Sequence, residues 1–318
     1  MKSLVTGGAG FIGSHLVDRL MHEGYSVTVV DNLSSGCLEN VKGWIGDSRF
    51  KFVRGDLKKR GKWIGEFKGV DVVFHYAANP EVRVSVTDPR IHFEENLQAT
   101  FNVLEACRNF KIPYFVFAST STVYGDAERI PTPEDYMPLK PISVYGAVKL
   151  SCETFIQTYS RLYGLKSLIL RYANVVGARS KHGVLVDFVE KLRSNPKRLE
   201  ILGDGLQRKS YLHVEEAVDA TLKALDYTFN SDGFEEVFNV GSEDWITVRE
   251  IADIVVEAMG LKNVEYVYKP ATSDGRGWLG DVKLMLLDVN KLKRATGWRP
   301  RLNSREAMKL AIKDYRKE

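Results

Sequence analysis

The chain is poor in cysteine, has no long apolar run, and carries no surplus of either charge. Its three cysteines, Cys37, Cys107 and Cys152, are widely separated and odd in number, which excludes a disulfide framework and a cysteine-rich zinc pattern. No metal is expected, and a reducing cytoplasm is the expected compartment. No segment approaches the roughly 20 consecutive apolar residues of a membrane-spanning helix. Lys2 to Thr6 already read as a strand entering a glycine loop, so neither a leader peptide nor a membrane partner is expected. Against 45 basic residues stand 41 acidic ones, a net charge of +4, too even for a nucleic-acid footprint. A small anionic ligand is left open. With 318 residues, 44% of them hydrophobic, the chain can bury a sizeable core as one large or two moderate domains.

Glycine, by contrast, is concentrated near the start. Gly7-Gly8-Ala9-Gly10-Phe11-Ile12-Gly13 separates the first strand from a helical pattern through Leu16 and Leu20. Strand, tight turn and helix together let backbone amides and a helix N-terminus approach a pyrophosphate. Tyr25 to Val30 read as a second strand ending in Asp31, 21 positions beyond Gly10, where a carboxylate can accept from adenosine ribose hydroxyls. Asn32-Leu33-Ser34-Ser35-Gly36 offers no arginine for a 2′-phosphate, so NAD is expected over NADP. The expected cofactor contacts here are Gly7, Gly10, Phe11, Ile12, Gly13, Asp31, Asn32, Ser34, Ser35 and Gly36. The alternative is a glycine turn followed by an unrelated aspartate.

Arg49 to Arg54 read as a third strand closed by Gly55-Asp56-Leu57, and Val70 to His75 as a fourth, apolar enough to be covered on both faces. Cys37 to Asp47, between the second strand and the third, show no periodicity. Asp56 and Leu57 are expected beside the adenine, although an aspartate after glycine is also ordinary turn chemistry, and Ala77-Ala78 would allow a cofactor close approach. His75 reads as a core histidine. A long helix follows, with Phe93, Leu97, Phe101, Leu104 and Cys107 toward the core and Asn96 free to reach polar groups. Tyr114 to Phe117 form a fifth strand ending in the hydroxyl-rich row Ala118 to Gly125, which suits either a sugar oxygen or a turn. The alternation of strands and helices is that of a doubly wound α/β fold with a parallel sheet.

Ser143 reads as a helix entry, followed by Val148, Cys152, Phe155, Ile156, Tyr159, Leu162 and Tyr163 at helical spacing. Tyr145 and Lys149 then share one helix face. A phenol of pKa about 10 is a poor base at neutral pH, but a nearby ammonium and a bound nicotinamide cation would both favour phenolate. Taken alone, the same spacing also describes an apolar stripe extended by Tyr145 beside a solvated Lys149.

In order along the chain, Thr6 to Gly13, Asp31 to Gly36, His75 to Ala78, Ser119 to Gly125, Tyr145 to Lys149 and Arg171-Tyr172-Ala173-Asn174 resemble the extended short-chain dehydrogenase/reductases. Within these, the chain is similar to the UDP-glucose (UDP-galactose) 4-epimerases over nearly its whole length. The resemblance implies a Rossmann-type sheet with a smaller α/β substrate-binding lobe, NAD as cofactor, a UDP-sugar as substrate, and a homodimer through the helices of Phe93 to Cys107 and Val148 to Tyr163. It makes Thr120 the active-site hydroxyl, Tyr145 the acid/base and Lys149 the ligand of the cofactor ribose. Asn96 and Ala173 become NAD contacts, and Asn174 a substrate contact. Related 4,6-dehydratases carry Asp-Glu where Ser121-Thr122 stand here, and UDP-glucuronate decarboxylases carry a glutamate at the second position. Lacking both acids, this chain is expected to oxidise and re-reduce one carbon, which needs only a phenol and a nicotinamide.

The chain departs from the resemblance at two basic positions. Lys209-Ser210 replace the family's Arg-Asp, and Arg276 lies two positions before the family arginine, which aligns with Trp278. Lys209 and Arg276 are both expected at the pyrophosphate, because phosphate recognition calls for such donors. The run Lys191 to Arg198 reads instead as a solvated helix end. Met285 falls where relatives gate the bulk of the sugar, and the epimer pair is left open. Leu168 to Arg171 complete a sixth strand; Glu215 to Tyr227 read as a helix, Val237 to Val240 as a strand, and Thr247 opens a capping box. The expected division is a NAD-binding domain over 1–173, to which about 214–240 return, and a nucleotide-sugar lobe over 174–318.

Overall fold

In a computed structural model describing residues 1–315, seven parallel strands make one central sheet. In chain order they are β1 (Lys2–Thr6), β2 (Ser26–Asp31), β3 (Phe50–Arg54), β4 (Val72–His75), β5 (Tyr114–Thr120), β6 (Lys166–Tyr172) and β7 (Glu235–Val240). Their spatial order is β7-β6-β5-β4-β1-β2-β3, so the chain reverses its direction of travel at β1. Beside it, between β1 and β4, the crossovers leave toward opposite edges and open a crevice at the carboxyl ends of the strands.

Alternate side chains of these strands enter two separate cores. Val5, Val72, Phe74, Val116, Leu168 and Leu170 lie on one face, and Leu4, Val73, Phe115, Phe117 and Ile169 on the other. Burial on both faces explains why the strands read as continuous apolar runs. Helices α1 (Phe11–His22) and α5 (Val214–Asn230) cover the first face. Helices α2 (Ala99–Phe110) and α3 (Val144–Tyr163) cover the second.

Three local readings change. Cys37 to Asp47 contain a 3-10 turn over Leu38–Trp44. Ahead of α2 come two short helical turns, Val84–Thr87 and Pro89–His92, and then a π-helical turn over Phe93–Gln98. The wider turn leaves Asn96 buried while Phe93 and Phe101 face outward. On α3, Phe155, Leu162 and Tyr163 are likewise exposed, because the sequence pattern there is broader than the stripe that meets the sheet.

The smaller lobe is built from short pairings. Asn174–Val176 pair with Tyr211–His213, Arg198–Leu202 with Glu265–Lys269, and Arg208–Lys209 with both Ile246–Thr247 and Leu284–Met285. Helices α4 (Val184–Ser194), α6 (Val248–Ala258) and α7 (Ser304–Tyr315) enclose its core, which includes Phe188, Leu192, Leu199, Ile251, Val255 and Met308. Thr247 and Glu250 cap α6 reciprocally. Meanwhile β7 pairs with β6 in the central sheet, so the chain visits the lobe, returns to the sheet, and leaves again.

Candidate active site

A cavity of about 470 Å³ runs from the glycine loop past the end of β5 into the lobe. At its first end the loop is compact enough to exclude side chains. A Cβ on Gly7, whose φ is +69°, would lie 2.6 Å from the Ala77 nitrogen, and one on Gly13 would lie 2.2 Å from the Gly7 carbonyl oxygen. The amides of Phe11, Ile12 and Gly13 open α1, where no carbonyl of the helix can satisfy them, and all three residues line the cavity with Gly7 and Gly10. Asp31 Oδ2 accepts from the Ala9 amide at 3.0 Å and Oδ1 from that of Leu33 at 2.8 Å. Burial raises the pKa of this carboxyl, and the two amide bonds oppose the rise. Asn32, Ser34, Ser35, Asp56, Leu57, Ala77 and Ala78 complete this end.

Two expected cofactor contacts lie behind the wall instead of in it. Gly36 packs on the loop, where a Cβ would come within 2.9 Å of Ala9 backbone atoms. Asn96, which the sequence suggested was free for a ligand, is used up internally. Its Oδ1 accepts from the Asn79 amide at 2.7 Å and its Nδ2 donates to the Asn79 carbonyl at 3.0 Å. It therefore braces the loop that follows Ala77-Ala78. His75 is a satisfied core group between the hydroxyls of Thr6, at 2.6 Å, and Thr100, at 2.9 Å, with burial pushing its pKa down to about 3.

The centre of the cavity joins β5 to α3. Ser143 caps α3 by accepting from the Gly146 amide at 3.1 Å. A Cβ on Gly146 would sit 2.8 Å from the Thr122 carbonyl oxygen, so this glycine allows the helix to approach the turn after β5 closely. Tyr145 is thereby set near Thr120, whose hydroxyl draws the phenol pKa down and accepts from the Thr122 amide at 3.1 Å. One turn along, Lys149 Nζ donates to the Ala118 carbonyl at 2.7 Å and lies 4.5 Å from the centre of the Phe117 ring.

Burial raises the Tyr145 pKa, and the Thr120 hydroxyl opposes the rise. The ammonium is directed at Ala118 and not at the phenol. Burial in turn lowers Lys149 from 10.5 to about 8. Because the unfolded chain holds this proton more tightly, the charged lysine opposes folding at pH 7 by about 3 kcal/mol, a penalty that fades as pH rises from about 8 toward 10.5. After subtracting roughly 1 kcal/mol for the lost bond to Ala118, Lys149→Met is expected to be about 2 kcal/mol more stable than the parent at pH 7. Denaturant unfolding at pH 7 and pH 10 checks this, and an equal gain at both would contradict it.

At the far end Asn174 lines the wall, its Nδ2 donating to the Ser210 carbonyl at 3.3 Å. Lys209 lines it too, with Nζ 2.6 Å from Asp281 Oδ1. Ala173 and Met285 are part of the same surface. Arg276 is not. Its Nη1 bonds Asp126 at 3.0 Å and the Asp281 carbonyl at 2.7 Å, and its Nε bonds Asp274 at 2.7 Å. Trp278 takes the wall position instead. Sequence reasoning also passed over Glu81, Arg83, Gln207 and Asp281, all of which line the cavity. Only Gln207 and Asp281 stood in segments carrying a signal.

The model of the NAD dependent epimerase/dehydratase family matches residues 3–241. The chain belongs to that family. A solved UDP-galactose 4-epimerase is 51% identical, covering 99% of this chain and 98% of its own, with a TM-score of 0.88. The Thermotoga maritima UDP-glucose 4-epimerase solved with UDP-glucose is 36% identical over 100% and 99% of the two chains, with a TM-score of 0.87. The UDP-glucose 4-epimerase of Mycolicibacterium smegmatis is 33% identical, covering 99% of each. Around 30% identity the relatives extend to a UDP-glucuronate 4-epimerase from Thermodesulfobacterium geofontis, which covers 97% of this chain and 94% of its own.

NAD is the cofactor of this epimerase/dehydratase family member, and the crowded glycine loop, the free amides at the start of α1 and the Asp31 carboxylate fit it. The further chemistry of Asp31 is a prediction. Asp31→Ala removes a ribose acceptor and a charge that repels a 2′-phosphate. It is expected to weaken NAD binding about tenfold or more and to narrow the preference over NADP. Titration with both dinucleotides tests this, an unchanged preference being the contrary result.

Proposed function

We propose that this family member interconverts the epimers at carbon 4 of a UDP-hexose, with UDP-galactose and UDP-glucose as the expected pair. The observation that carries the reading is that Tyr145 and the Thr120 hydroxyl line one cavity wall, in which the row Ser119 to Thr122 holds hydroxyls and no carboxylate. Elimination of water or carbon dioxide requires further acid/base groups, whereas epimerisation requires one proton carrier. NAD, when bound, supplies the acceptor and donor of the hydride at carbon 4. Thr120 holds the sugar O4, Tyr145 removes the proton of the 4-hydroxyl, and after the 4-keto sugar has turned over the same phenol returns it. Lys149 holds the cofactor ribose, with the glycine loop and Asp31 at the adenosine end, while Asn174 and Lys209 take the nucleotide.

In this reading 1–173 and the returning 214–240 bind NAD, 174–318 bind the nucleotide sugar, and the enzyme works in the cytoplasm. Incubation with UDP-glucose, UDP-galactose, their N-acetyl forms and the uronates, followed by NMR of the products, tests the assignment. Conversion without loss of mass supports it. A product lighter by water or carbon dioxide would overturn it.

The protein also forms a homodimer through α2, α3 and the turn before α2. Phe93, Phe101, Phe155, Leu162 and Tyr163 are exposed there, and the rings of Phe101 and Phe155 meet edge to face at 6.0 Å. Such a cluster on one surface marks an interface. Light scattering at micromolar concentration should give twice the chain mass, and Phe101→Glu/Phe155→Glu the mass of one chain.

A further inference from the structure

With Arg276 turned away, the cavity among the described residues has four lysines and arginines: Lys58, Arg83, Lys149 and Lys209. Lys58 stands by Asp56 and Glu95 at the adenosine end, and Lys149 is fastened to Ala118. Only Arg83 and Lys209 are left for the lobe-side throat. They arrive from opposite banks, Arg83 from the segment after β4 and Lys209 from the lobe strand Arg208–Lys209, and they converge on one ring. The Arg83 guanidinium carbon lies 6.0 Å from the centre of the Trp278 ring, and Lys209 Nζ lies 5.4 Å from it. Each is steadied by a carboxylate on the same wall. Arg83 donates Nε to Glu81 Oε1 at 3.0 Å and Nη2 to Oε2 at 3.2 Å, while Lys209 Nζ donates to Asp281. Neither is exhausted: Nη1 of Arg83 and two ammonium protons of Lys209 are left over. The Trp278 Nε1 donor is buried without a partner.

We propose that Arg83 and Lys209, gathered on the Trp278 indole, are a two-cation clamp for the pyrophosphate of the nucleotide sugar, with Arg83 the contribution of the dinucleotide-binding half. The identity of the ligand rests on the UDP-hexose reading; the clamp itself rests on the charges of the throat. Two like charges near one ring repel each other, and a pyrophosphate between them converts that repulsion into two charge-assisted hydrogen-bonding contacts. Glu81 and Asp281 hold both cations in place beforehand, which reduces the side-chain entropy lost on binding.

Calorimetric titration of the NAD-loaded protein with UDP, and with uridine as the probe lacking phosphate, tests the clamp. Arg83→Gln is expected to weaken UDP binding about 10- to 100-fold, the worth of a hydrogen bond to a charged group, and to leave uridine unchanged. It should raise KM for the UDP-sugar with kcat held within about twofold. Arg83→Lys, which keeps the charge and loses the fork, should fall between the two. If the parent binds UDP and Arg83→Gln binds it equally well, or if either variant weakens uridine as much as UDP, the clamp is wrong and the UDP-hexose reading stands. If the parent fails to bind UDP at all, both fall.

Discussion

Tyr145→Phe is expected to lower epimerisation by a factor of about a hundred or more, while folding and NAD retention survive. The ring is 8% exposed and packs edge to face on His92 at 5.5 Å, so phenylalanine keeps the packing and deletes only the oxygen. That oxygen is the only group in the site proposed to carry the proton of the sugar, so its loss costs a full general-acid/base factor. Thr120→Val should cost less, because it removes the partner that aligns the phenol and leaves the phenol itself. Burial keeps Tyr145 protonated at neutral pH, and Thr120 offers the one opposing effect. The rate should therefore rise with pH, and Thr120→Val should move that rise upward. Initial rates from pH 6 to pH 10 check both points. Near-normal turnover by Tyr145→Phe would remove the phenol from the mechanism.

How much of this is visible before folding depends on whether the controlling physics is local. The glycine loop is legible because the constraint at Gly7 and Gly13 is a backbone approach that only glycine meets, and the strands because burial on both faces forces apolar runs. Tyr145 and Lys149 can be grouped by helical spacing alone. What they do to one another cannot, since the destination of the ammonium is the Ala118 carbonyl on a different element. Asn96 illustrates the same limit: one π-helical turn decides that it faces Asn79 and not the cavity. Arg276 and Trp278 are two residues apart, and only the ring of carboxylates around Arg276 determines which of them reaches the wall. Arg83 stands just ahead of the four-residue helical turn Val84–Thr87, with no periodicity to mark it.

Arg171→Met is expected to destabilise the fold by about 3 to 5 kcal/mol, because it strands a buried anion. Arg171 and Glu153 are 4% and 1% exposed, with Nη2 2.7 Å from Oε2 and Nε 3.1 Å from Oε1. Ser119, the residue before Thr120, donates to the same Glu153 oxygen. From its other side Arg171 donates Nη1 to the Tyr124 hydroxyl at 2.9 Å, which donates in turn to Asn239 Oδ1 at 2.7 Å. One pair thus ties α3, β6, β7 and both ends of the turn that carries Thr120. Without the arginine, Glu153 is left as a buried charge with no cation to compensate it. Removing both charges, as Arg171→Met/Glu153→Leu, should recover most of the loss, since a buried pair is costly to halve and cheap to replace. Turnover should stay low in that double variant even so, because Ser119 and Tyr124 have lost the partners that fix the Thr120 turn against Tyr145. Denaturant midpoints of the three proteins, with epimerase rates alongside, test this, and a single variant less than about 1 kcal/mol below the parent would show that the pair does not hold this site.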